Sequence, residues 1–222
     1  MHDLTAHQVA TLAATQAAAR ALLTRLAPAP LESDAPSGGI MPGAREKALW
    51  AAYKKLGVQE LKDLEEAVAW VGAKGWLDPT RVGLQGHSYG GYITAYALTH
   101  SKVFSAGIAG APVTDWALYD TIYTERYMGL PKDNKAGYEA SSVVKAAANL
   151  HGRLLLIHGM IDDNVHLQNS AQLISGFQRA DKDFEVMVYP GSRHGIAGGK
   201  HYQRLMFEFV FKTMGVKSGG RE

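Results

Sequence analysis

Cysteine is absent from this sequence, which excludes a disulfide framework, a thiolate nucleophile and any sulfur-ligated metal. Charge of one sign is scarce as well. Lysine plus arginine number 23 against 21 for aspartate plus glutamate, a formal charge of +2. No basic run and no basic stripe interleaved with aromatics accompanies it, so no nucleic-acid partner is expected. Long apolar runs are also lacking. In the N-terminal segment DLTAHQVATLAATQAAARALLTRLA, Gln16, Arg20 and Arg25 interrupt every apolar stretch, too often for a secretory leader or a membrane span. The expectation is a soluble, cytoplasmic chain with no membrane partner.

What is present suffices for one sizeable core: 222 residues, 46% of them hydrophobic, favour a single globular domain. Residues 3–26 are alanine-rich and place Leu12, Ala19, Leu22, Leu23 and Leu26 near one face, as an amphipathic helix does. Residues 27–43, APAPLESDAPSGGIMPG, concentrate proline, glycine and serine and read as a linker. The organisation is therefore residues 1–43, a helix and linker, then residues 44–222, the main folded domain. Within the second part Leu61, Leu64, Val68 and Val71 mark a helix face. Residues 81–86, 105–110, 153–159 and 184–190 read as strands, and helices are expected at 89–100, 167–179 and 201–214. Strand and helix in alternation indicate an α/β fold with a mostly parallel sheet under helices on both faces.

Gly86-His87-Ser88-Tyr89-Gly90 matches G-x-S-x-G and lies between a predicted strand and a predicted helix, where that motif holds a nucleophilic serine on a sharp turn. Glycine at 86 and 90 is expected because side chains there would collide with backbone, and Ser88 is expected to be strained. A serine hydroxyl is a poor nucleophile at neutral pH, so it needs a base and a third group that orients the base. Asp162 or its neighbour Asp163 follows the strand 153–159, and His194 follows the strand 184–190. Such groups gather beyond the carboxyl ends of parallel strands. His87 reads as a packing residue, and His2, His7, His100, His151 and His201 carry no motif. His158, Asp162, Asp163 and His166 match no metal-binding pattern, so neither metal nor cofactor is expected. Residues 111–150, rich in aromatic and polar side chains, read as a substrate-facing insertion. Trp116, Tyr119 and Tyr123 recur there at i, i+3 and i+7, as on one face of a helix.

Over residues 45–214 the chain resembles the catalytic domain of the prolyl oligopeptidase family, in its dipeptidyl peptidase IV branch. GHSYGGY at 86–92, YTERYMGLP at 123–131, LLIHGMIDDNVHLQNSAQLI at 155–174 and RHGIA at 193–197 carry the resemblance. It implies an α/β-hydrolase fold and a triad of Ser88, Asp162 and His194, with Asp162 rather than Asp163 as the orienting carboxylate. It implies the backbone N–H of Tyr89 as an oxyanion donor. Tyr89, Val113, Trp116, Tyr119, Tyr123 and Val165 would line an apolar pocket for a proline-sized side chain, and Asn164 would bond a substrate carbonyl. The expected function is a serine peptidase cleaving short peptides after proline or alanine. An esterase of small acyl substrates and an inactive remnant or binding module are the alternatives. The family's N-terminal propeller, the first strands of its hydrolase domain and the tyrosine that helps hold the oxyanion have no counterpart in residues 1–43. The strand 81–86 is thus expected at a sheet edge, covered by the N-terminal helix or paired with a second copy in a homo-oligomer.

Overall fold

The computed structural model describes residues 56–196 and 199–215. The expected helix at 3–26 and linker at 27–43 fall outside the described residues.

Helix α1 (Val58–Ala73) begins with a capping box in which the Glu60 carboxylate accepts the Gly57 N–H at 2.9 Å. This satisfies one of the donors that a helix N-terminus leaves open. Leu61 is buried, and Leu64 and Val68 pack against the same cluster, so three of the four residues of the apolar stripe read from the sequence face the core. Strand β1 (Gly83–His87) and helix α2 (Tyr89–His100) follow, then strand β2 (Ala106–Gly110). The later elements are strand β3 (Arg153–Gly159), helix α5 (Gln168–Arg179), strand β4 (Glu185–Tyr189) and helix α6 (Lys200–Met214). Helices α3 (Thr121–Met128) and α4 (Lys135–Ser141) occupy the segment between β2 and β3.

Among the described residues the three strand pairings are all parallel, and the strands stand in the order β1-β2-β3-β4. The central pair alternates its side chains between two cores, as period-two geometry requires. Ala109, Leu154 and Leu156 join Tyr92, Tyr96, Leu98, Leu173 and Phe177 on the face covered by α2 and α5. Ala106, Ile108, Leu155 and Ile157 meet Phe209 of α6 on the other. Among the described residues β1 is paired on one side only, and no helix is long and apolar enough to cross a membrane.

The insertion differs from its sequence reading. Trp116, Tyr119 and Tyr123 do not share a helix: Trp116 opens a short 3-10 turn (Trp116–Leu118), Tyr119 is extended, and Tyr123 belongs to α3. Two aspartates cause the break. The Asp115 side chain accepts from Ala117 N–H and the Asp120 side chain from Tyr123 N–H. Each therefore starts a new helix, as N-caps do, and the periodicity does not run through.

Candidate active site

Ser88 stands between the last residue of β1 and the first of α2, at φ 58° and ψ −120°, a conformation that L-residues avoid and that persists only where neighbours over-determine it. Its N–H donates to the Gly110 carbonyl at 2.8 Å and its carbonyl accepts from Tyr92 N–H at 2.9 Å. At position 86 a Cβ would overlap the backbone of Gly90, so only glycine fits. Gly90 itself departs from the sequence expectation, because a Cβ there would meet nothing within 4 Å. Gly91 takes the second crowded place, since its Cβ would overlap the Gly110 carbonyl where α2 crosses β2.

The loops after β3 and β4 are tied together. Met160 N–H donates to the Tyr189 carbonyl at 2.9 Å and Ile161 N–H to the Ser192 carbonyl at 3.2 Å. These bonds bring Asp162 and His194 into one line with Ser88. His194 Nε2 lies 2.9 Å from Ser88 Oγ, and His194 Nδ1 lies 2.9 Å from Asp162 Oδ2. Because a carboxylate can only accept, Nδ1 carries the imidazole proton and Nε2 is the bare acceptor for the serine hydroxyl. The Asp162 side chain is fully buried, and its Oδ1 accepts the N–H groups of Asn164 and Val165, both at 3.0 Å. Asp163 points elsewhere. It is mostly exposed and ion-paired with Arg193. His87 packs its ring 4.9 Å from that of His194, centroid to centroid; burial, and then the charge of His194, push its pKa below the usual 6.5.

Beside the line stands an aromatic cluster with the Trp116 ring at its centre. Trp116 stacks on Tyr123 at 5.8 Å, meets Tyr119 edge-on at 5.9 Å and Tyr92 at 5.0 Å, and tilts against Tyr89 at 5.7 Å. Val113, Trp116 and Val165 are buried, whereas Tyr89, Tyr119 and Tyr123 keep part of their surface open. Asn164 is exposed, and its Oδ1 accepts from the Tyr119 hydroxyl at 2.9 Å, which sets the orientation of its amide. Tyr89 is the first residue of α2. Its N–H therefore has no intrahelical acceptor and sits at the positive end of the helix dipole, beside Ser88.

Three residues of this neighbourhood were not singled out as site residues from the sequence. Glu60 accepts from the Tyr89 hydroxyl at 2.6 Å, and burial together with this carboxylate raises the tyrosine's pKa well above its ordinary value. Tyr92 donates to the Leu56 carbonyl at 2.8 Å. His158 lies behind Asp162, with Nε2 3.3 Å from Oδ2. Nothing in the sequence ties residue 60 to residue 89.

Comparison with known proteins matches residues 45–217 to the model of the prolyl oligopeptidase family. A second model, the C-terminal domain of Type VI secretion system FHA protein, matches residues 1–70. Prolyl endopeptidase FAP of Bos taurus is 43% identical over 171 residues, 74% of this chain and 22% of that protein. Dipeptidyl peptidase 4 of Felis catus is 44% identical over 164 residues, 72% of this chain and 21% of that protein. The crystal structure of Porphyromonas gingivalis dipeptidyl peptidase 4 superposes with a TM-score of 0.71 at 39% identity, covering 75% of this chain and 24% of that one. The chain thus spans roughly a fifth of the length of the curated relatives it matches.

Proposed function

The chain belongs to the prolyl oligopeptidase family, and from that premise we propose that it is a serine peptidase cleaving short peptides after proline or alanine through an acyl-enzyme on Ser88. The observation that carries the reading is the unbroken hydrogen-bond line from Ser88 Oγ through His194 to buried Asp162. Ser88 Oγ attacks the peptide carbonyl while its proton passes to His194 Nε2, and Asp162 stabilises the imidazolium so formed. The carbonyl oxygen, now negative, faces the Tyr89 N–H, a donor already in place before the charge develops. Collapse of the tetrahedral adduct breaks the C–N bond, and the leaving amine takes the proton from His194. Water then attacks the acyl-enzyme, losing a proton to His194; the second adduct collapses with cleavage of the bond to Ser88 Oγ, which takes that proton back and frees the carboxylic acid product.

Substrate preference follows from the aromatic cluster. Tyr89, Tyr119 and Tyr123, backed by Trp116, present flat apolar surface next to the nucleophile. A compact apolar side chain buries well against such a wall, whereas an unpaired charge is costly there. The name of one relative, prolyl endopeptidase, supports proline at this position. Chromogenic substrates that differ only in the residue before the cut test it. Proline and alanine forms are expected to show the highest kcat/KM and lysine and glutamate forms the lowest; a flat profile would remove the specificity from this account.

A further inference from the structure

His158 is a buried histidine for which the reaction above has no use. It is the sixth residue of β3 and 1% exposed. Its Nε2 lies 2.8 Å from the Val165 carbonyl oxygen and 3.3 Å from Asp162 Oδ2, and its Nδ1 lies 2.6 Å from Ser170 Oγ on α5. Both neighbours of Nε2 can only accept, so Nε2 bears the proton and donates it to the nearer Val165 carbonyl, while Nδ1 accepts from the Ser170 hydroxyl. Burial holds the imidazole's pKa below the usual 6.5, which favours the neutral ring this geometry describes.

We infer that His158 is a positioning residue of the reaction: its Nε2–H, hydrogen-bonded to the Val165 carbonyl, holds the loop that grips Asp162 and stands 3.3 Å from Oδ2, the oxygen that holds His194. One of the two backbone donors on Asp162 Oδ1 is the Val165 N–H, and His158 holds the carbonyl of that same residue, so the imidazole fixes the loop that fixes the carboxylate. The positive end of the Nε2–H dipole, 3.3 Å from the shared oxygen, also moderates that oxygen's pull on the His194 imidazolium. The Ser170 hydroxyl, by donating to the far side of the ring, strengthens that donor. The other titratable groups near Asp162 do not duplicate this contact. His194 is the partner being positioned, and His87 packs on His194 from the far side. His166 Nδ1 meets the Asp162 backbone carbonyl and not its carboxylate, and Asp163 is held outward by Arg193.

The inference rests on the serine-peptidase reading, and its test separates the two. The rate of labelling by a fluorophosphonate probe is measured from pH 5 to 9 on the full chain and on His158→Phe, His158→Gln and Ser170→Ala. Phenylalanine fills the site without a donor, while glutamine can place an amide N–H where Nε2–H stands. In His158→Phe the acid limb is expected to move up by roughly half to one pH unit, which slows labelling at pH 6 about three- to ten-fold. The loss should fall on the maximal labelling rate and not on probe affinity. His158→Gln is expected to return the limb towards its wild-type position, and Ser170→Ala to shift it in the same direction as phenylalanine but less. An acid limb unmoved in every folded variant, or glutamine no better than phenylalanine, overturns the inference. Should His158→Phe fail to fold, an unmoved limb in Ser170→Ala overturns it alone. A wild-type chain that never labels would instead bring down the peptidase reading together with this one.

Discussion

Asp162 and Asp163 carry the same side chain one position apart, and the fold gives them opposite surroundings. Asp162 is enclosed and bonded to His194, whereas Asp163 pairs with Arg193 in solvent. Spacing alone left both open, because the residue count after β3 says where the loop begins but not which way each side chain turns. The resemblance favoured Asp162, and in the structure the Asn164 and Val165 N–H groups turn that carboxylate inward. Asp162→Asn is expected to lower kcat on a chromogenic ester by about four orders of magnitude, the loss typical when the base no longer has its orienting carboxylate. Asp163→Asn removes only an exposed ion pair, worth at most about 1 kcal/mol, and should leave kcat within a few-fold of wild type. Similar losses in the two variants would contradict the assignment.

Among the elements, the turn from β1 into α2 bears the tightest constraint. Gly86→Ala puts a Cβ into the backbone of Gly90, and overpacking of that kind costs about 1–3 kcal/mol. Gly90→Ala meets open space and should unfold at the wild-type temperature. Thermal unfolding of the two variants checks this, and equal destabilisation would show that the crowding lies elsewhere. The four strands and their flanking helices were legible because each is a short apolar run or an amphipathic period bounded by turn residues. The segment after β2 was not. Its aromatic spacing imitates one helix, while Asp115 and Asp120 divide it into two by capping. The rings still meet, with Tyr119 and Tyr123 5.6 Å apart, through folding back and not through helical period.

Across the whole molecule, Ser88 and His194 lie 106 positions apart and are 2.9 Å from contact to contact because β1, β3 and β4 end at the same edge of a parallel sheet. That much follows from strand–helix alternation. The links from Glu60 to Tyr89 and from His158 to Asp162 do not, since they depend on how helix and loop side chains turn. The same burial makes stability depend on pH. His158 has a folded pKa below the 6.5 of an unfolded histidine, so in the window between those two values the unfolded chain binds more protons and stability rises with pH. Its contribution is fully present above 6.5 and is lost as pH falls through the window. The melting temperature should therefore drop as pH is lowered from 7 towards 5, with a shallower slope in His158→Gln; identical slopes would contradict this. The whole account stands on Ser88 being an activated nucleophile. Intact-mass analysis of the full chain treated with a fluorophosphonate, followed by peptide mapping, measures that without knowledge of the substrate. One adduct per chain, located on Ser88 and absent from Ser88→Ala, is the result expected; no adduct, or an equal one in Ser88→Ala, would contradict it.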